Sequence, residues 1–168
     1  MILSTSRLIL REFTSADAEA MMGVFGDAEV MRFSSGTRDL VWVNEWIEKQ
    51  NLRQTERGYS LWAVVTKDSQ ELLGFCGLTY FPDILGTPEI EVGYRLMQKH
   101  WGKGFATEAA LAVRDYAREQ LELKRLIAII DPGNTASLNV AAKLGMSYEK
   151  QFSFPHYDHP DHIYAMAL

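Results

Sequence analysis

The sequence predicts an α/β domain built on a mixed sheet, and three observations lead to this prediction. Seven short apolar segments typical of strands are interleaved with four segments of helical spacing, in the order βααβββαβαββ. The 168 residues are enough for one hydrophobic core, and no repeat or low-complexity linker divides them. Hydrophobic residues make up 47% and charged residues 23%, which is ordinary globular composition. We therefore predict one domain over residues 1–168.

The first half of the chain is predicted to contain three strands and two helices. Residues 7–13 alternate well enough for a first strand. Thr14 and Asp17 match a capping box, which predicts that a short helix follows. Asp39 caps a second helix, and Gly58 ends it. Two further strands are predicted at 60–66 and 72–81, followed by a loop at 82–88.

In the second half, strands and helices alternate before two strands close the chain. The aliphatic run at 123–130 predicts a buried strand, and Gly145 is the residue type that commonly ends a helix. The predicted strands are 89–96, 123–130, 146–154 and 162–168, and the predicted helices are 107–120 and 135–144.

Charge and composition exclude several classes of protein. Seventeen basic residues stand against 22 acidic ones, and this balance of −5 lacks the basic surface of a general nucleic-acid binder. No apolar run approaches the roughly 20 residues that span a bilayer, and residues 1–7 do not resemble a signal peptide. The single cysteine, Cys76, cannot form an intramolecular disulfide and is expected to be a buried apolar residue. We expect a cytoplasmic protein with no nucleic-acid or membrane partner.

The junction between the strand at 89–96 and the helix that follows is the most informative part of the sequence. Gly102 and Gly104 predict a turn that exposes unpaired N–H groups at the positive end of a helix, where an anion can bind. Two lysines flank this turn. A Walker A loop is absent, and a Rossmann fingerprint fits poorly because Thr107 occupies its third glycine position. The turn therefore predicts a phosphate-bearing ligand of another kind.

Residues 99–106 resemble the acetyl-coenzyme A pyrophosphate loop of the GNAT superfamily of N-acetyltransferases. The longer run 101–109 is similar to the RimJ/RimL-like branch, which acetylates the N-termini of ribosomal proteins. Segments before and after it are similar to that branch in the same order, namely 5–11 with 14–18, then 134–137 and 143–145, and finally 161–164. The resemblance implies a mostly antiparallel sheet of about seven strands flanked by about four helices. It also implies a splay between the strands at 89–96 and 123–130, with the pantetheine of acetyl-coenzyme A in the gap.

The resemblance also implies which residues hold the cosubstrate. Main-chain groups of Tyr94 and Leu96 are expected to pair with the pantetheine, and one N–H there would stabilise the oxyanion formed as an amine attacks the thioester. Asn134 is expected to hydrogen-bond the same arm, although a turn role suits it equally. The groups expected at the pyrophosphate are the N–H groups of Gly102, Gly104, Phe105 and Ala106, the side chains of Lys99 and Lys103, and the Thr107 hydroxyl.

Acetyl transfer to an amine needs a base and an acid. Many members of the family use a tyrosine as the acid, but Ala141 stands at that position here. Ser137 matches the serine that is the proposed substitute in the RimL-like branch, although a helix N-terminal hydrogen bond explains it equally well. Glu91 is the first candidate for the base and Glu89 the second, because both lie on one face of their strand. The alternative for either glutamate is a solvent-facing position.

Histidines and tryptophans elsewhere suggest further sites. His156, His159 and His162 fit no zinc or calcium spacing, so we expect no metal, and their loop could instead line the acceptor site. Trp42 and Trp46 lie one helical turn apart and fit either an acceptor wall or a core stripe.

The predicted reaction is direct attack of a primary amine on acetyl-coenzyme A in a ternary complex. A covalent acetyl-enzyme is not expected, because Cys76 has no partnered base. A non-catalytic acyl-coenzyme A sensor is the alternative, and Ala141 keeps it open. The acceptor is expected to be a small-molecule amine or a protein or peptide N-terminus, since variable loops form that pocket. The chain is expected to be a monomer or a homodimer.

Overall fold

The computed structural model describes residues 1–154 and 160–168, and a mixed sheet of eight strands forms its centre. Four α-helices pack against this sheet. The strands are β1 (Leu3–Ser4), β2 (Leu8–Arg11), β3 (Leu61–Thr66), β4 (Leu72–Ile84), β5 (Thr87–Leu96), β6 (Arg125–Ile130), β7 (Ser147–Phe152) and β8 (Asp161–Ala167), and the helices are α1 (Ala18–Phe25), α2 (Leu40–Arg57), α3 (Phe105–Glu119) and α4 (Thr135–Leu144).

The strands lie in the order β1-β2-β3-β4-β5-β6-β8-β7. Neighbours are antiparallel except β5 and β6, which run parallel and are joined by the α3 crossover that a parallel pair requires. These two strands pair at one register position, Glu91 opposite Ile127, and no further pair follows it. The predicted mixed, mostly antiparallel sheet with a splay between these strands is therefore confirmed, and so are the four helices.

The strand count differs from the prediction because Leu3–Ser4 pairs with β2 and adds an eighth strand. Two residues are too few to show the alternating pattern by which a strand is recognised in a sequence. The first described residues are thereby held at one edge of the sheet.

The predicted loop at 82–88 is wrong, because β4 continues to Ile84 and turns into β5 at Leu85 and Gly86. Both turn residues have positive φ, 53° and 86°, as a two-residue hairpin turn requires. Pro82 is accommodated because the pairing with β5 shifts between Phe81 and Ile84, so its missing N–H breaks no regular ladder.

Several element boundaries also move by one to three residues, and two of these shifts have a visible cause. Helix α3 begins at Phe105 rather than at 107, because Gly104 precedes it in the left-handed conformation and ends the turn early. Strand β6 begins at Arg125 rather than at 123, because the Leu123 N–H donates to the Ala117 carbonyl (3.0 Å) and so closes the turn after α3.

Different helix pairs cover the two faces of the sheet. Helices α3 and α4 pack against one set of alternating residues, which includes Val92, and α1 and α2 pack on the opposite face against Phe75. Trp42 and Trp46 lie edge-on to the Phe25 ring, with centroids 5.1 and 4.8 Å away. The structure therefore places both tryptophans at the α1–α2 core, in agreement with the core-stripe interpretation.

Within residues 1–154 and 160–168, no helix combines the length and the apolar composition that crossing a bilayer requires.

Candidate active site

The gap between β5 and β6 opens immediately after Glu91. The Arg95 carbonyl lies against Gly74 of β4, and the Met97 N–H donates to the Leu73 carbonyl at 2.8 Å. Main-chain groups of successive strand residues point to opposite sides. The N–H and C=O groups of Tyr94 and Leu96 therefore face the gap, which is the orientation expected of groups that pair with an extended ligand.

The glycine turn leads from this gap to α3. Gly102 and Gly104 have φ of 73° and 79°, a conformation that other residues adopt only with strain. The first main-chain hydrogen bond of the helix runs from the Glu108 N–H to the Gly104 carbonyl (3.0 Å). The N–H groups of residues 105–107 consequently have no acceptor within the helix and are available to an anion at its positive end.

The cations around the turn are arranged differently from the expectation. The Lys99 ammonium pairs with Glu71 at 2.6 Å, which directs it toward the turn before β4, whereas the Lys103 side chain is exposed. The guanidinium of Arg7 instead reaches the turn itself and donates to the Lys103 carbonyl at 3.1 Å. Contacts of Lys99 and Lys103 with a pyrophosphate stay a prediction.

Trp101 connects the turn to the end of β5. Its indole N–H donates to the Leu96 carbonyl at 2.7 Å, although the side chain is about half exposed. A carbonyl oxygen can accept a second hydrogen bond, and the Leu96 N–H is separate from this contact. The Leu96 main chain can therefore still pair with a ligand.

Glu91 lies at the apex of the gap. Its Oε1 accepts a hydrogen bond from the Ile129 N–H at 3.1 Å. Burial raises the pKa of Glu91 to about 7. The charge of Asp161 also raises this pKa, whereas the hydrogen bond from Ile129 and the charge of Arg95 lower it. A carboxyl group with this pKa exchanges protons readily near neutral pH.

Glu89 occupies a different environment although it shares the strand face. Its carboxylate is only 7% exposed, and both oxygens accept from the Arg125 Nε at 3.1 Å. Arg125 also pairs with Glu149 at 2.8 Å. The pairing of this buried carboxylate with the partly exposed Arg125 gives Glu89 a structural function, so Glu91 is the stronger of the two candidates for the base.

Tyr94, Asn134 and Ser137 meet where β5 faces the start of α4. The Tyr94 hydroxyl donates to the Ser137 carbonyl at 3.0 Å, and burial raises the pKa of this phenol above its usual range. The Asn134 Oδ1 caps the helix by accepting from the Ser137 N–H at 3.1 Å, which leaves the two amide N–H donors of Asn134 for other partners. Ala141 is fully buried one helical turn further on.

Two further possibilities at this site are a cysteine nucleophile and a metal ion, and neither was expected from the sequence. Cys76 is fully buried, and this burial raises the pKa of its thiol far above the usual range, so a thiolate nucleophile does not form there. Across the described ranges no group of three His, Cys, Asp or Glu side chains could hold a metal ion. His156 and His159 lie outside the described residues.

Two groups near the site were missed by the sequence reasoning, namely the side chains of Arg7 and Glu108. They are 101 positions apart and form an ion pair at 2.7 Å. Neither has a local pattern that predicts the contact, because only the packing of β2 beside α3 brings them together.

The chain matches the family described as the Acetyltransferase (GNAT) domain over residues 7–147, and it therefore belongs to that family. It is 38% identical over 149 residues to the protein YkkB of Bacillus subtilis, covering 88% of this chain and 86% of that protein. It is 32% identical to p20 of Bacillus licheniformis, an uncharacterized N-acetyltransferase, covering 89% and 83% of the two chains. The acetyltransferase class and its fold are thus established.

Among solved structures, the chain is similar to RimL, a ribosomal L7/L12 alpha-N-protein acetyltransferase, in complex with coenzyme A. The TM-score is 0.82, and the match covers 99% of this chain and 97% of that one. The sequence identity is 18%, so this likeness supports the fold alone. The RimJ/RimL-like branch is therefore not established, and the acceptor stays open.

Proposed function

We propose that this protein transfers the acetyl group of acetyl-coenzyme A to a primary amine by direct attack in a ternary complex. One observation carries the proposal: a carboxyl group with a pKa of about 7, Glu91, lies at the apex of the gap into which the main chain of Tyr94 and Leu96 points. A proton acceptor and main-chain donors are thus adjacent to each other. A base and a donor to the developing oxyanion are two of the groups that acetyl transfer to an amine uses.

The residues present fit the proposed cosubstrate. The glycine turn and the first turn of α3 offer N–H groups to a pyrophosphate, and the gap offers the main-chain groups of Tyr94 and Leu96 to the amides of a pantetheine arm. When bound, acetyl-coenzyme A supplies the activated acetyl group. The separation of β5 from β6 leaves that space between the strands.

The chain's own groups then have distinct roles. Glu91 accepts the proton of the incoming ammonium, directly or through a water molecule. A main-chain N–H of Tyr94 or Leu96 donates to the oxygen on which negative charge develops. Ser137 lies beside the Tyr94 hydroxyl at the other side of the gap, where its own hydroxyl can orient the departing thiolate or relay a proton to it. Burial of Cys76 argues against a covalent acetyl-enzyme.

We propose an amine of small-molecule or peptide origin as the acceptor, and the RimJ/RimL-like resemblance makes a protein N-terminus the first choice. The name of p20 as an N-acetyltransferase supports nitrogen as the acceptor atom. Free amino acids, polyamines and amine antibiotics are the alternatives.

The test is a measurement of thiol release from acetyl-coenzyme A with a panel of these amines, with mass spectrometry of the products. We expect thiol release that depends on one class of amine. The product should be that amine with the mass of one acetyl group added. Incubation without an amine is the control for hydrolysis. Tight binding of coenzyme A without turnover on any amine, peptide or protein N-terminus would contradict the catalytic proposal and favour a sensor.

A further inference from the structure

The segment 5–7 before β2 is tied to the first turn of α3 through one carboxylate. Glu108 Oε1 accepts from the Thr5 and Ser6 hydroxyls and from the Arg7 N–H, and Glu108 Oε2 accepts from the Arg7 side chain. Desolvation alone would raise the pKa of Glu108, but the four hydrogen bonds together lower it to about 2. The carboxylate is therefore ionised at neutral pH.

The Arg7 guanidinium makes three contacts at the glycine turn. Its Nε lies 2.7 Å from Glu108 Oε2, its Nη1 donates to the Lys103 carbonyl at 3.1 Å, and its central carbon lies 4.5 Å from the centroid of the Phe105 ring. A guanidinium is planar and rigid, so these contacts fix each other's geometry. The Lys103 carbonyl is thereby held in one direction.

The direction of the Lys103 carbonyl determines the direction of the next N–H. In a trans peptide the carbonyl of one residue and the N–H of the next point to opposite sides of the chain. Because the Lys103 carbonyl points at Arg7, the Gly104 N–H points away from Arg7, on the opposite side of the peptide. The glycine at 104 makes rotation of this peptide easy, since it lacks a Cβ atom.

We propose that Arg7, oriented by Glu108, is a positioning residue that keeps the Gly104 N–H directed at the pyrophosphate of the cosubstrate. This inference rests on the proposed function. A rotated peptide would present the Lys103 oxygen to the phosphate oxygens, and two such partial negative charges repel. Arg7 thus acts through the main chain of the turn.

Replacement of Arg7 by alanine tests the proposal. We expect Arg7→Ala to weaken coenzyme A binding about tenfold in calorimetry and to raise KM for acetyl-coenzyme A by a similar factor, with kcat within about twofold of the wild type. The Arg7 side chain is 49% exposed, so the thermal midpoint should change little. Arg118→Ala is the matched control, because that arginine is 48% exposed and pairs with acidic side chains at the other end of α3.

A second variant and a second substrate separate positioning from simple charge attraction. Arg7→Lys keeps the charge but cannot hold the carboxylate and the carbonyl with one planar group, so its affinity should be reduced nearly as much as that of Arg7→Ala. S-acetylpantetheine lacks the pyrophosphate, so kcat/KM for this thioester should be equal in the wild type and both variants.

Three outcomes would overturn the proposal. Full affinity of Arg7→Lys for coenzyme A would show that the charge of Arg7 is sufficient. Unchanged affinity of Arg7→Ala would show that Arg7 has no function at the turn. An equal loss of kcat/KM with S-acetylpantetheine would indicate general damage to the protein. Failure of the proposed function gives a different result, because the wild-type protein itself would then not bind coenzyme A or not release thiol with an amine.

Discussion

At the scale of single residues, two glutamates on the same face of β5 differ in their surroundings. Glu89 pairs with Arg125, whereas the Glu91 carboxyl hydrogen-bonds a main-chain N–H and has a pKa of about 7. Both glutamates lie on the same face of the strand, so the sequence predicts both as candidates for the base and distinguishes between them only weakly. The ion pair of Glu89 with Arg125 and the position of Glu91 at the gap between β5 and β6 distinguish the two residues.

Replacement of Glu91 by glutamine should remove the proposed base while keeping an oxygen acceptor for the Ile129 N–H. The wild-type kcat/KM should rise with pH and level off above about 7, because the base must be ionised. In Glu91→Gln this rise should be absent and kcat lower by about 10²–10⁴. The measurement is a pH–rate profile with the best acceptor amine.

Glu89→Gln is the matched control for this prediction, since it changes the same side chain two positions earlier on the same face. Its pH–rate profile should keep the rise toward pH 7. A profile that loses its rise in Glu89→Gln and keeps it in Glu91→Gln would assign the base to Glu89.

At the scale of elements, the turn before α3 depends on the conformation of its glycines. Gly104 has a φ of 79°, and an added Cβ atom there would meet only the Arg7 guanidinium at 3.5 Å. Space is therefore available, and the restriction is the backbone conformation itself. A β-branched residue at this position would favour a different φ and turn the N–H groups away from an anion.

Gly104→Val should weaken coenzyme A binding by at least tenfold, because valine at positive φ is strained by about 1–2 kcal/mol and the turn would adopt another conformation. The overall fold should be kept. Calorimetry with coenzyme A and circular dichroism measure the two quantities. Gly58→Val is the control, since Gly58 ends α2 with a φ of 78° and open space around it. Equal affinities in the two variants would show that the turn does not hold the ligand.

At the scale of the whole molecule, the gap exists because β5 and β6 pair at one register position before they separate. These two strands run parallel, whereas every other neighbouring pair of strands in the described sheet is antiparallel. The Ile129 N–H, which lies beyond that position, donates to the Glu91 side chain instead of to β5. The core on both faces of the sheet holds the strands in this arrangement.

The raised pKa of Glu91 also predicts how stability changes with pH. The folded protein keeps a proton on Glu91 up to about pH 7, whereas an unfolded chain loses it near 4.5. This contribution to stability is therefore fully present below about pH 4.5 and is lost as the pH rises through about 7. The difference in unfolding free energy between Glu91→Gln and the wild type should grow by about 3 kcal/mol over this range.

Urea unfolding of both proteins between pH 4 and 8.5 measures this difference, in which the contributions of titrating groups that do not interact with Glu91 cancel. A difference that is constant with pH would contradict the raised pKa. It would also weaken the assignment of Glu91 as a base that works near neutrality.

Much of the fold could be predicted from local signals. Caps such as Asp39 and the glycine after α4 mark helix ends, and aliphatic runs mark the central strands. The strand pattern failed at Pro82, because a proline within a strand is acceptable only where the pairing is interrupted, and the pairing partner is not visible locally. The same limitation hid the two-residue strand β1.

The sequence by itself determined the four helices and most of the strands, the glycine turn before α3 and the resemblance to an acetyltransferase family. These features depend on neighbours within a few residues, or on motifs in a fixed order. Only the tertiary structure decided that Glu91 is the carboxyl group at the gap, that Glu89 is paired, and that Arg7 and Glu108 hold the turn. Burial, the raised pKa and contacts across 101 positions arise from packing, which no local pattern encodes.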